Sequence, residues 1–164
     1  MAFAISITTQ KAAGAPLWAL WREFGGLEET PSMLAFDYPP HVTLAAYESV
    51  PEDRLSDTLR SELGAFPPFR LTFTRLAFFE NPQLVFWAAP EASELLSRAH
   101  AAIHRRIDPA LCHEHYRPQR WTPHCTLATK VTALTEQAIE PFDIVFDRAD
   151  CVEFPLCASS ARAT

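Results

Sequence analysis

Apolar and polar positions alternate through residues 4–9 (AISITT), with β-branched side chains recurring, and this two-residue period predicts a strand. The period then changes. Residues 16–24 (PLWALWREF) carry apolar side chains at helical spacing behind a proline in the first turn, which predicts a helix. Residues 32–36 read as a short strand. Asp37-Tyr38-Pro39-Pro40 breaks the chain before residues 41–47 (HVTLAAY) resume as extended structure. Residues 51–63 read as a helix, and residues 69–79 and 84–88 as two strands joined by turn chemistry at Glu80-Asn81-Pro82-Gln83. Over residues 91–107, Leu95, Ala99 and Ile103 fall on one helical face. Residues 108–123, rich in Pro, His and Arg, read as a loop. Residues 124–129 (HCTLAT) are extended again, followed by a short helix and by strands near 142–146 and 152–154. Residues 158–164 are expected to form a frayed tail.

The two halves contain a repeat. Pro40-His41-Val42-Thr43-Leu44-Ala45 recurs as Pro123-His124-Cys125-Thr126-Leu127-Ala128, with one position changed. Farther on, residues 68–75 (PFRLTFTR) are echoed by residues 141–148 (PFDIVFDR). A single pair of copies predicts two related lobes of strand, helix and strand facing each other, since a stacked array needs at least three repeats. The fold class expected is therefore α+β: one bilobal domain over residues 1–157, two antiparallel sheets with helices on their outer faces, and a central cleft.

Composition narrows the function. A chain of 164 residues, 48% of them apolar, is long enough to bury one sizeable core. Its formal charge of −6 repels a polyanion, so a small phosphorylated substrate or an RNA terminus suits it better than a long duplex. With glycine only at positions 14, 25, 26 and 64, neither a phosphate-binding P-loop nor a dinucleotide fingerprint can be written. Cys112, Cys125, Cys151 and Cys157 lack CxxC spacing and read as free, mostly buried thiols. No apolar run is long enough for a membrane span and the start does not resemble a signal peptide, so a cytoplasmic monomer with no membrane partner is expected.

On a strand, residues two apart share a face, so His41 lies beside Thr43 and His124 beside Thr126. A lone His-x-Thr-Leu reads most simply as a histidine at a strand end. Packing could preserve Leu44 and Leu127 through a duplication, but it does not require the polar faces to match. If the lobes meet, two imidazoles and two hydroxyls converge on one cleft. Histidine titrates near neutrality, so one ring can accept a proton while another donates one. A phosphodiester suits that pair. One imidazole deprotonates the attacking water, the other protonates the departing ribose oxygen, and the threonines donate to the nonbridging oxygens. No metal or other cofactor is needed for these transfers.

Two copies of His-x-Thr with an apolar residue next, one from each half, resemble the signature of the two-histidine phosphoesterases, which include bacterial 2'-5' RNA ligases and cyclic phosphodiesterases. The resemblance spans residues 4–154. It implies a LigT-like bilobal fold, His41 and His124 as acid and base, and Thr43 and Thr126 as phosphate holders. It further implies hydrolysis of 2',3'-cyclic phosphate or 2',5'-linked nucleotides, with ligation as the reverse reaction. Many of the bacterial ligases carry an arginine shortly after the second motif, where this chain has Ala128-Thr129-Lys130. The phosphodiesterase expectation is accordingly stronger than the ligase one. The motifs are near mirror images and leave open which histidine is the base; His124 as base and His41 as acid is the assignment adopted.

Around the motifs, Arg117, Arg120 and Lys130 could form a basic rim for a phosphate, or merely a solvated surface. Tyr38 and Trp121 could stack on a base, although core packing competes. His100 and His104, four apart on a helix, and His113-Glu114-His115 are metal-ligand patterns by composition only. A metal-dependent hydrolase built on them is the lesser expectation. A binding module that holds nucleotide or RNA without turnover is the alternative from another class.

Overall fold

The computed structural model describes residues 2–28, 32–35, 38–80, 84–129, 131 and 136–154. In chain order the elements are β1 (Ala2–Thr8), α1 (Ala15–Phe24), α2 (Ser32–Ala35), β2 (His41–Tyr47) and α3 (Glu52–Thr58), which runs on into a π turn at Leu59–Leu63. Then follow β3 (Phe69–Phe79), β4 (Val85–Pro90), α4 (Glu94–Arg106), β5 (Cys125–Thr129), β6 (Gln137–Phe146) and β7 (Arg148–Phe154). The strands form two antiparallel sheets, ordered β2-β1-β7 and β5-β4-β3-β6.

This order leaves each motif strand on an edge. It also corrects the expected lobe composition. Residues 68–75 and 141–148 are not equivalent pieces of two lobes, because β3 and β6 pair with each other in one sheet, with Phe69 opposite Phe146 and Phe73 opposite Phe142. Their likeness has a packing cause: Leu71, Phe73, Ile144 and Phe146 are all buried, and neighbouring strands that cover the same core need the same alternation. The strand that completes the first sheet is the C-terminal β7, paired with β1 along its length.

One apolar core runs through both sheets, joining Ile5, Trp21 and Leu44 to Phe73, Phe86 and Phe146. The helices cross over: α1 packs against β5 and α4 against β2, so each motif strand is covered by a helix from the other half of the chain. Phe73 stacks on Phe142 at 5.4 Å and lies 6.3 Å from Phe146. Because its side chain is fully buried at the centre of the second sheet, Phe73→Ala is expected to cost about 3–5 kcal/mol. The shift of the urea midpoint measures it, and a change under about 1 kcal/mol would contradict this packing.

Other differences from the sequence reading are local. Residues 32–35 form one helical turn and not a strand, since Met33, Leu34 and Ala35 are strong helix formers with no β-branched neighbour among them. The long helix begins at Glu94 because the Ser93 side chain caps it, accepting from the Leu96 amide at 3.2 Å. β6 starts earlier than expected, at Gln137, its first residues pairing with Arg75 and Leu76 of β3. The expected loop 108–123 contains 3-10 turns at Pro109–Leu111 and Glu114–Tyr116 and is tied to β2 by the His113 amide, which donates to the Ala46 carbonyl at 2.8 Å. The expected turn residues 81–83, the short helix after β5, Cys157 and the tail lie outside the described residues. Among the described residues no helix is long and apolar enough to cross a membrane.

Candidate active site

The edge strands β2 and β5 meet where the two sheets face each other. The contact is close: the buried Cys125 thiol, the variable residue of the second motif, lies against the backbone amide of His41. His41 and His124 consequently share one neighbourhood, and a charge on His41 disfavours a charge on His124.

The two rings are held in the same way. His41 Nδ1 donates to the Pro39 carbonyl at 3.0 Å, and His124 Nδ1 donates to the Thr122 carbonyl at 2.7 Å. A carbonyl oxygen can only accept, so Nδ1 carries the hydrogen in both rings and Nε2 is left for proton exchange. Among the described residues neither Nε2 has a hydrogen-bond partner. The preceding prolines account for the shared geometry. Pro40 and Pro123 drive the residue before them into extended conformation, which turns its carbonyl back toward the ring two positions on.

Both imidazoles resist protonation. Burial pushes His124 down to about 4, with Phe79 edge-on at 5.1 Å and Trp87 at 5.7 Å, and the nearby His41 and His115 add to the effect. His41 is lowered by burial too, its ring 5.0 Å from that of Tyr38. In each case the backbone carbonyl works the other way by stabilising the imidazolium.

The threonines sit beside their histidines on the strands, Thr43 buried and Thr126 half-buried. The Thr43 hydroxyl lies 3.1 Å from that of Ser6, and the Tyr116 phenol approaches it from the loop. The two walls of the cleft differ. Opposite His41 in register is Thr8, which donates to Asp150 at 3.1 Å, so the first sheet presents hydroxyls and a carboxylate. The second presents Phe79 and Trp87, with the Arg75 guanidinium 5.8 Å from the Trp87 ring.

The flanking candidates separate. Tyr38 stays beside His41, its buried hydroxyl without a partner among the described residues. Arg117 donates to the Cys112 and Ala110 carbonyls at 2.8 and 3.0 Å, whereas Arg120 forms an exposed pair with Glu114 at 3.0 Å. Trp121 stacks face to face on His100, ring centres 4.0 Å apart, and Lys130 lies outside the described residues. His100 and His104 both turn Nε2 toward the Tyr116 carbonyl, at 2.8 and 3.1 Å. Among the described residues no cluster of three or more His, Cys, Asp or Glu is arranged to hold a metal. Sequence reasoning missed Ser6, Trp21, Phe79 and Trp87. The polar face of β1, with Ser6 and Thr8 two apart, was the one signal available for any of them.

Two edge strands, each led by a histidine with Nδ1 engaged and each carrying a threonine two residues on, meet between antiparallel sheets; fold and site together define the two-histidine phosphoesterase class. The model of the 2'-5' RNA ligase superfamily matches residues 14–156, and the chain belongs to that family. Among solved structures, the crystal structure of TT0787 of Thermus thermophilus is similar over 93% of this chain and 85% of that one, with a TM-score of 0.54 at 20% identity. No curated protein matches the chain.

Proposed function

We propose that this protein is a metal-independent phosphodiesterase that opens 2',3'-cyclic phosphates or cleaves 2',5'-linked nucleotides at RNA ends. The observation that carries the reading is the matched pair of Nδ1–carbonyl bonds, which presents two Nε2 atoms for proton exchange in one cleft. One neutral imidazole takes a proton from water as its oxygen bonds to phosphorus. The bond from phosphorus to the ribose oxygen breaks, and the second, protonated imidazole supplies that oxygen's proton. Thr43 and Thr126 donate to the nonbridging oxygens as charge redistributes. The apolar wall of Phe79 and Trp87 favours neutral His124 as the base, which leaves His41, on the wall of hydroxyls, as the acid. With an RNA 5'-hydroxyl in place of water, the same transfers open a 2',3'-cyclic phosphate into a 2',5' bond as the 3' oxygen leaves with its proton, which is 2'-5' ligation.

Tyr38, beside His41, is positioned to meet the nucleoside, and Trp121 borders the first motif. Arg120 can exchange its exposed Glu114 partner for a phosphate, because an exposed ion pair is worth less than about 1 kcal/mol. Arg117 shapes the loop that carries it, and Lys130 is assigned to the same rim by its place after the second motif. The test is turnover of 2',3'-cyclic mononucleotides and 2',5'-linked dinucleotides, followed by chromatography with and without chelator. Product should form equally in both. Saturable binding with no product from any of these esters would make the protein a nucleotide-binding module instead.

A further inference from the structure

We propose that Trp21 and Trp121 are positioning residues: their indole N–H groups clamp the two motif strands across the lobe boundary and set the spacing of His41 and His124. Trp21, on α1 in the first half of the chain, donates to the carbonyl of Thr126 in the second motif at 2.8 Å. Trp121, in the loop after α4 in the second half, donates to the carbonyl of Thr43 in the first motif at 3.0 Å. The exchange is reciprocal. Each indole reaches out of its own half and ends on the threonine of the other half's motif.

The chemistry of an edge strand explains why such donors are needed. On its outer side an edge strand has carbonyls with no ladder partner, and a buried carbonyl left unbonded is costly. Both β2 and β5 are edges, and the residues Thr43 and Trp21 are almost fully buried. The indoles therefore stand in for a missing neighbouring strand. Each ring is also steadied by a second aromatic group from its own half. Trp18 meets Trp21 edge-on at 4.8 Å, and His100 lies parallel to Trp121, with an angle of 2° between the rings. A fixed indole fixes the carbonyl it bonds, and that carbonyl belongs to the strand carrying the imidazole two residues earlier. Ring packing alone would not require the N–H of both indoles to find the same residue of the two motifs.

The catalytic part of this proposal rests on the phosphodiesterase reading, so its test includes a readout that needs no substrate. Trp21→Phe and Trp121→Phe keep an aromatic ring and remove the donor. Each should lower kcat on a 2',3'-cyclic mononucleotide by between about tenfold and about 100-fold with KM little changed, because small misplacements of reacting groups act on the chemical step. In parallel, the His41 and His124 C–H signals, followed by NMR through a pH titration without substrate, should show the His124 midpoint moving toward its ordinary value, as loosened strands admit water to the buried ring and draw it away from His41. If the wild type turns over no phosphodiester, the functional reading fails, and the titrations still decide the clamp. A loss of melting temperature alone, with both titrations and any kcat unmoved, would show the indoles to be merely structural and overturn the proposal.

Discussion

Replacing His41 or His124 by alanine should lower kcat on a 2',3'-cyclic mononucleotide by about 10²- to 10⁴-fold, the range for removal of one positioned acid or base. KM should change little, since nucleoside contacts and threonine donors remain. The double replacement should cost less than the product of the single effects, because an acid without its base no longer follows the same path. Steady-state rates of the three variants, each checked for folding by circular dichroism, decide the point. Single variants retaining more than about a tenth of wild-type kcat would remove these rings from the chemistry.

The geometry adds a condition on substrate binding. Burial holds both rings neutral in the free protein near pH 7, yet one of them must carry a proton to act as the acid. A phosphate anion between the rings supplies what the empty cleft lacks, since a nearby negative charge favours an imidazolium. Binding thus helps to create the acid. It follows that kcat/KM, which reports the free enzyme, has its optimum on the acid side of the kcat profile.

The motif residues were legible because their signal is local. Polar and apolar side chains alternate over residues 41–44 and 69–74, both strands were read with the bounds they have in the fold, and a duplicated polar face on two strands has no packing explanation. The cleft followed from the repeat. Illegible were the relations between distant segments. Nothing in residues 148–154 says that they pair with β1, and the echo between β3 and β6 pointed to lobe equivalence when its cause was a shared sheet face. The bonds from Trp21 and Trp121 join residues 105 and 78 positions apart, so each tryptophan read locally is an apolar residue in a helix or a loop. Phe79 and Trp87 were hidden for the same reason: they reach His124 across a sheet whose strand order periodicity does not encode.

Stability should fall steeply in weak acid. Five histidines, His41, His100, His104, His113 and His124, are all held below their ordinary range chiefly by burial. In the unfolded chain they take up protons near pH 6.5, whereas in the folded protein His100 and His124 stay neutral down to about 4. Between those limits the unfolded state binds more protons, so the stability is fully present above pH 6.5 and is lost as pH falls toward 4. His100 shows the mechanism most clearly. The residue is only 6% exposed, its ring pressed against Trp121 and bonded to the Tyr116 carbonyl, with His104 as the neighbouring titratable group. A shift from 6.5 to about 4 corresponds to about 3 kcal/mol lost over that window from this residue alone. His100→Phe keeps a ring against Trp121 and gives up the hydrogen bond, so at pH 7.5 it should be less stable than wild type by about 1–2 kcal/mol. Having no proton to take up at that position, it should also lose less on acidification, and the two curves of unfolding free energy against pH should cross between pH 6.5 and 4. Urea titrations at half-unit intervals provide the curves, and parallel curves across the whole window would show that burial of His100 is not the source of the acid sensitivity.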